Sequence, residues 1–269
     1  MVRSVTLRLM VLLVGAVAAQ SQTPVVSPGG VVDAAAFLSP VTPGGLVSIF
    51  GSNLASAQAQ ADTIPLSTSI GNVSVTFNGI PAPLLFVSTG LVNAQLPWEV
   101  LSSGTVGTAA VVVTSNGQVS ASATVPVGPF SPGIFTLDGK QAVAYSNSDN
   151  LFAAPPGAIP GLTTHPAKIN DPSTLVILAT GLGAVDPPVQ TGNIPPNDGA
   201  LHRTTTNPTV TVGGVAAQVF FSGIAPFAVG VYQLNVIIAP GTPTGNAIPV
   251  QISMGGATSP ITTTIAVSN

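Results

Sequence analysis

The chain has no cysteine and only 13 charged residues among 269, five basic and eight acidic. Without cysteine there is no disulfide framework, no thiolate metal site and no lipid-modified N-terminal cysteine. Two of the basic residues, Arg3 and Arg8, lie in the N-terminal segment. Beyond it only Lys140, Lys168 and Arg203 face eight acidic side chains, a formal charge of −5. Phosphate binding needs a clustered basic surface, so nucleic acid is not an expected partner. Long segments of Leu, Glu, Lys and Arg with helical period are also missing after residue 20. Histidine occurs only at positions 165 and 202, and Glu99 is the sole glutamate. The G-x-S-x-G, H-E-x-x-H and G-x-x-x-x-G-K-S/T signatures are absent, which removes the commonest nucleophile, zinc and phosphate chemistries.

What is abundant is glycine (29), proline (26), Val, Thr, Ser and Ala. This composition, with period-two alternation between turn signals, reads as all-β. The stretch VSVTFNGIPAPLLFVSTGLVNAQLPWEV (73–100) has an echo in VTVGGVAAQVFFSGIAPFAVGVYQLNVIIAP (210–240). Asn78-Gly79 falls on Gly213-Gly214, Ala82 on Ala217 and Phe86 on Phe221; after a seven-residue insertion Asn93 falls on Asn235. The chain is therefore an internal duplication.

Residues 1–19 are expected to be a signal peptide, with a basic start MVRSVTLR, an apolar run LMVLLVGAVA and Val17-Ala18-Ala19 before cleavage. The apolar run is short for a membrane span, so no span is expected after its removal. Residues 20–32 read as a flexible lead. The first sandwich is placed at 33–127 and the second at 128–269, the latter opening with a hairpin and loop insert at 128–172. In the first, Leu46 to Phe50 is a buried strand, Val73, Val75 and Phe77 share one face, and Asn93 to Trp98 is a strand halted by Pro97. Asn78-Gly79 and Asn116-Gly117, 38 residues apart, mark hairpins. Gly213-Gly214 and Gly255-Gly256, 42 apart, repeat them. Asp138-Gly139 marks another hairpin inside the insert. The architecture expected is two tandem Ig-like β-sandwiches.

The residues carry a resemblance at two levels. Each copy resembles an IPT/TIG-type Ig-like domain, in which a Gly-Ser-Asn-Leu turn precedes a Val-Thr-Val-x-Gly-Gly-x-Ala hairpin. The pair resembles the acidobacterial C-terminal domain family of secreted proteins, through PGGLVSIFGSNLA, NGIPAPLLFV, NAQLPWEV, SPGIFT, ATGLGAVDP, GVYQLNV and SPITTTIAV. The resemblance covers almost everything from Asp33 to Val267. The chain departs from the family in having DAAAF where Asn-Ala-Ala-Ser-Phe is usual and Thr89-Gly90-Leu91 where Pro-Gly-Gln is usual. The resemblance implies export and a β-module, and brings no catalytic residue.

Five residues stand out as binding candidates. Trp98, the single tryptophan, stacks on a sugar if exposed and seals a seam if buried, and burial is the favoured reading because a large aromatic normally contributes that way. Asp186 and Asp198 share one loop with His202 and Arg203, the one place where two carboxylates needed by a glycosidase occur together. That loop gives the alternative reading, an exported hydrolase acting on polysaccharide; a hydrated Pro-Asn-Gly loop is the structural one. Asn147-Ser148-Asp149-Asn150 is too short and too weakly acidic for an EF-hand calcium loop and reads as a turn. Asn93 and Asn235 are expected to bond backbone at strand ends. No catalytic residue, metal site or cofactor is assigned. The leading expectation is a secreted or surface-held, non-enzymatic module binding an extracellular glycan or surface protein, with a purely structural spacer or sorting module as a further alternative.

Overall fold

The computed structural model describes residues 22–101 and 104–269, so the expected signal peptide lies outside the described residues. The first half contributes β1 (Val25–Asp33), β2 (Leu46–Ser52), β3 (Ala59–Gln60), β4 (Ser69–Ile70), β5 (Val73–Phe77), β6 (Ile80–Pro81), β7 (Leu84–Val87), β8 (Leu91–Gln95), β9 (Gly107–Ser115), β10 (Gln118–Val119) and β11 (Ala123–Val127). One sheet runs β1-β2-β8-β7-β3, and the facing one runs β10-β9-β5-β4 with β11 on β9 and β6 on β5. Between them Ile49, Val73, Val75, Phe77, Leu84, Val92, Val111 and Val113 form one apolar core. The alternation of β5 does what its sequence requires: Val73, Val75 and Phe77 are buried while Ser74 and Thr76 are half-buried.

The second half contributes β12 (Gly133–Ile134), β13 (Ala144–Ser146), β14 (Ala167–Lys168), β15 (Leu175–Thr180), β16 (Val185–Asp186), β17 (Arg203–Thr204), β18 (Thr209–Val212), β19 (Val215–Ile224), β20 (Tyr232–Ile237), β21 (Gly245–Met254), β22 (Ala257–Thr258) and β23 (Thr264–Ser268). Their order is β12-β15-β20-β19-β18-β21-β23-β14, with β13 also on β15 and β17 also on β19. A separate core gathers Ile177, Leu182, Val210, Val212, Tyr232, Leu234, Val236, Val250, Ile252 and Ile265. The Tyr232 hydroxyl donates to Gly183 O, and full burial pushes that phenol far above its ordinary range.

The pairings repeat between halves. β2–β8, β7–β8, β5–β9 and β9–β11 in the first correspond to β15–β20, β19–β20, β18–β21 and β21–β23 in the second. Even the irregularity is copied: a bulge falls between Leu84 and Phe86 opposite β8 and between Val219 and Phe221 opposite β20. One difference has a covalent cause. Pro81 and Pro83 lack amide donors and split the first copy's strand into β6 and β7, whereas β19 carries no proline and stays continuous through ten residues. The chain is two tandem Ig-like β-sandwiches.

Three sequence expectations are corrected. Of the segment read as a flexible lead, the part from Val25 onward is strand β1, paired with β2 from Val25↔Ser52 to Asp33↔Val47. Pro28-Gly29-Gly30 looks like linker composition, but it forms an irregularity between Val26 and Val31 inside an edge strand. The strand expected from Asn93 to Trp98 spans Leu91–Gln95, and after Pro97 the chain turns into a single 3-10 turn, Trp98–Val100. Asn93 and Asn235 sit within strands and bond side chains: Asn93 Oδ1 accepts from Ser48 Oγ at 2.9 Å, and Asn235 Oδ1 from Gln233 Nε2 at 2.8 Å. The insert joins the second sandwich, with β12 and β13 both on β15 and Ala142, Ala144, Ala153 and Ala167 inside its core.

Candidate functional site

Two places bring chemistry-bearing residues together: the seam between the sandwiches and a groove beside the second bulge. The seam is built on polar side chains placed in apolar surroundings. Gln95, at the end of β8 and 1% exposed, donates from Nε2 to Gly44 O at 3.0 Å and accepts at Oε1 from Gly192 N–H at 2.7 Å. Thr180, at the end of β15 and wholly buried, accepts from Leu46 N–H at 2.8 Å and donates to Gly230 O at 3.0 Å. Thr191 accepts from Trp98 N–H at 3.1 Å and donates to Glu99 Oε2 at 2.8 Å. The bonds of Gln95 and Thr180 satisfy groups whose burial without a partner would cost roughly 1–3 kcal/mol apiece.

Trp98 belongs to this seam. It is half-buried, packs against the second core from the first half, and lies against Gly44 so closely that a Cβ there would fall 2.1 Å from the indole edge. Its Nε1 is buried with no partner, as is Thr42 Oγ1. Beside it a cavity of about 230 Å³ is lined by Trp98, Thr42, Phe130, Ala184, Thr205 and Thr206 among others.

The groove on the second sandwich, about 310 Å³, is lined by Arg203, Thr204, Asn207, Pro208, Val219, Phe220, Phe221 and Ser222. Phe220, the residue left unpaired at the bulge, stands 49% exposed beside this groove, on the face that Ala216 and Gln218 also present to solvent. The Arg203 guanidinium carbon lies 5.0 Å from the Phe221 ring centre, and Nη1 donates to Phe220 O at 3.3 Å. A cation over an aromatic face is held there electrostatically, which fixes the orientation of a long flexible side chain. The equivalent bulged residue of the first copy, Leu85, lines another open groove with Ile64, Leu66 and Val229, so both copies present a bulge beside a short edge strand.

The loop read as carrying a carboxylate pair is dispersed by the fold. Asp186 and Arg203 are cross-strand partners on β16 and β17, both exposed, with no ion pair between them among the described residues. Asp198 Oδ1 accepts from Ala200 N–H at 2.8 Å, closing its own turn. Alternation turns His202 inward where Arg203 points out: His202 is 3% exposed, and its Nδ1 is 2.7 Å from Pro187 O. A carbonyl only accepts, so Nδ1 carries a proton, and Nε2 is buried without a hydrogen-bond partner. A base so enclosed does not reach a substrate. Among the described residues no group of three or more His, Asp or Glu side chains is arranged to hold a metal ion. The Asn147 to Asn150 segment is a turn, with Asn150 at φ 61° and Asp149 Oδ1 accepting from Leu151 N–H at 3.0 Å.

Of the five residues singled out by sequence, the structure unites Asp186 with Arg203 on one exposed face, places Trp98 in the seam, and keeps His202 and Asp198 in structural bonds. Gln95, Thr180 and Thr191 escape sequence reasoning; Gln95 alternates away from the apolar Val92 and Ala94, a position that reads as outward-facing. No described helix is long and apolar enough to cross a membrane. No protein-family model and no curated protein matches the chain. Among solved structures, the I9-I11 tandem from titin aligns with 92% of this chain and 67% of that one, at 10% identity and a TM-score of 0.23. At that score the likeness bears no weight, and the fold is defined by the strand pairings above.

Proposed function

We propose that the protein is an exported, non-enzymatic tandem module of IPT/TIG type, related to the acidobacterial C-terminal domain family, that holds an extracellular glycan or surface protein through the outer face of its second sandwich. The observation that carries this reading is the groove beside the second bulge, where exposed Phe220 stands next to an Arg203 side chain already fixed over Phe221. An aromatic face beside polar Asn207, Thr204 and Arg203 suits a neutral or weakly acidic polyhydroxylated ligand, because such a ligand offers both a C–H surface and hydroxyl acceptors. Export is supported by the basic-apolar-small pattern of residues 1–19.

The test is retention of the protein on insoluble polysaccharides and cell envelopes, with Phe220→Ala and Arg203→Ala compared with wild type. Both residues are exposed, so the variants are expected to fold, which circular dichroism checks. Retention weakened or lost in either variant supports the reading. Retention on nothing, or retention that both variants keep in full, overturns it, the first outcome favouring a structural spacer.

A further inference from the structure

The two copies leave an equivalent strand by the same turn and set different residues at its tip. With Asn93 matched to Asn235, the pairings Ser48↔Asn93 and Val176↔Asn235 set Ser48 on Val176, and Val32↔Ser48 and Tyr145↔Val176 then set β1 on β13. The turn that follows is copied bond for bond. Asp33 N–H donates to Leu38 O at 2.8 Å and Phe37 N–H to Asp33 O at 3.2 Å; Ser146 N–H donates to Leu151 O at 3.0 Å and Asn150 N–H to Ser146 O at 2.9 Å. The residue before the closing leucine has φ 57° at Phe37 and 61° at Asn150. Asparagine tolerates this left-handed backbone, whereas a bulky side chain there is an outlier that stores strain.

Phe37 is nonetheless held there. The Asp33 carboxylate, 3% exposed, accepts at Oδ1 from Ala35 and Ala36 N–H, at 2.9 and 2.6 Å, and at Oδ2 from Leu38 N–H at 2.8 Å. The clamped turn leaves the Phe37 ring 55% exposed, its centre 6.0 Å from that of Phe50, which is 38% exposed on β2. Phe50 falls opposite the Pro28-Gly29-Gly30 irregularity of β1, where the two glycines have no side chain to cover it. Its equivalent in the second copy is Leu178, which is half-buried. Asn150 and Leu178 thus stand where the first copy has two exposed aromatic rings, one of them on a strained backbone.

The surroundings of the rings select an occupant. Asp33 is the sole charged residue between positions 22 and 61, and it is buried, so the segments that form this face expose no charge. Asn93 lies on the same face of the sheet, where Oδ1 is taken by Ser48 Oγ and Nδ2 is left to donate. Two half-exposed rings and the exposed Leu38 offer roughly 300 Å² of apolar surface. A stable protein interface needs about 800 Å² per partner, so the patch fits a narrower ligand. We propose that Phe37 and Phe50 form a second contact site, on the first sandwich, for an uncharged polysaccharide chain. The polarised C–H faces of the sugars lie on the negative faces of the rings, and a sugar hydroxyl oxygen accepts from Asn93. The site is built from the other copy and does not depend on the groove at Phe220.

The experiment is native affinity electrophoresis of the whole protein through gels containing soluble β-glucan, xylan or galactomannan, in the Phe220→Ala background so that the groove is silenced. At least one of these neutral polysaccharides is expected to retard it. Installing the second copy's residues then removes the site. Phe37→Asn is expected to weaken binding about ten-fold, the worth of burying the exposed half of one ring, and adding Phe50→Leu to end it. Phe37→Asn also relieves the strained backbone, so its melting temperature is expected to equal or exceed that of its parent. Retardation by none of the three, or retardation that the Phe37→Asn/Phe50→Leu pair keeps, overturns the site. So does a melting temperature lowered by more than about 4 °C in Phe37→Asn, which would make the ring a packing residue. Binding present in wild type but gone in Phe220→Ala would place the polysaccharide in the groove alone, and this site would fall while the reading of the groove stands.

Discussion

Gln95 joins three segments through one amide, and each of its partners is a buried backbone group that its removal would strand. Gln95→Leu keeps the volume but leaves Gly44 O and Gly192 N–H unpaired, and is expected to lower stability by about 2–5 kcal/mol in chemical denaturation. A loss no larger than that of an exposed Gln→Leu, such as at Gln118, would remove Gln95 from this role. None of this was legible in the sequence. A glutamine alternating with apolar residues reads as solvent-facing, because the group it bonds, Gly192, is 97 positions away in the chain. Trp98 could be narrowed to surface or seam, and the close fit over Gly44 decides between them. The loop with Asp186, Asp198 and His202 looked like a cluster because its members are near in sequence. Strand alternation sends His202 inward and Arg203 outward, a separation that spacing in an irregular loop does not reveal.

The hairpins, by contrast, were readable from dipeptides alone. Asn78-Gly79, Asn116-Gly117, Gly213-Gly214 and Gly255-Gly256 all have positive φ at both central positions, the geometry that matches the twist of paired strands. Such turns are local, so two residues suffice to specify them. Edge strand β1 was missed because its register comes from β2, while its own Pro-Gly-Gly favours no strand. Turn glycines carry two kinds of cost. Gly79 has φ 79° and open space where a methyl group would go, so Gly79→Ala is expected to cost about 1–2 kcal/mol from backbone strain alone. Gly44 has nearly the same φ, 78°, but a methyl group there would strike the Trp98 ring. Gly44→Ala is therefore expected to cost clearly more than Gly79→Ala in paired thermal melts. Equal losses would mean the indole moves aside freely, and the close packing of the seam would then not be a constraint.

For the protein as a unit, the two cores share no strand, and sandwiches of this size can unfold separately. Against that stand the buried bonds from Gly192 N–H to Gln95 and from Leu46 N–H to Thr180, the bond from Leu66 N–H to Gly192 O at 2.8 Å, and Trp98 packed from one half onto the core of the other. Breaking the seam exposes donors and acceptors that have partners only when both halves are folded, so loss of one sandwich withdraws stability from its neighbour. Wild-type protein is expected to melt in a single calorimetric transition with equal calorimetric and van't Hoff enthalpies. Combining Gln95→Leu with Thr180→Val removes bonds at two separate points while leaving both cores intact. The double variant is expected to resolve into two transitions, the less stable half melting first. Two transitions already present in wild type would show that the seam orients the halves without coupling them, and a single transition retained in the double variant would place the coupling in the apolar contact of Trp98 instead.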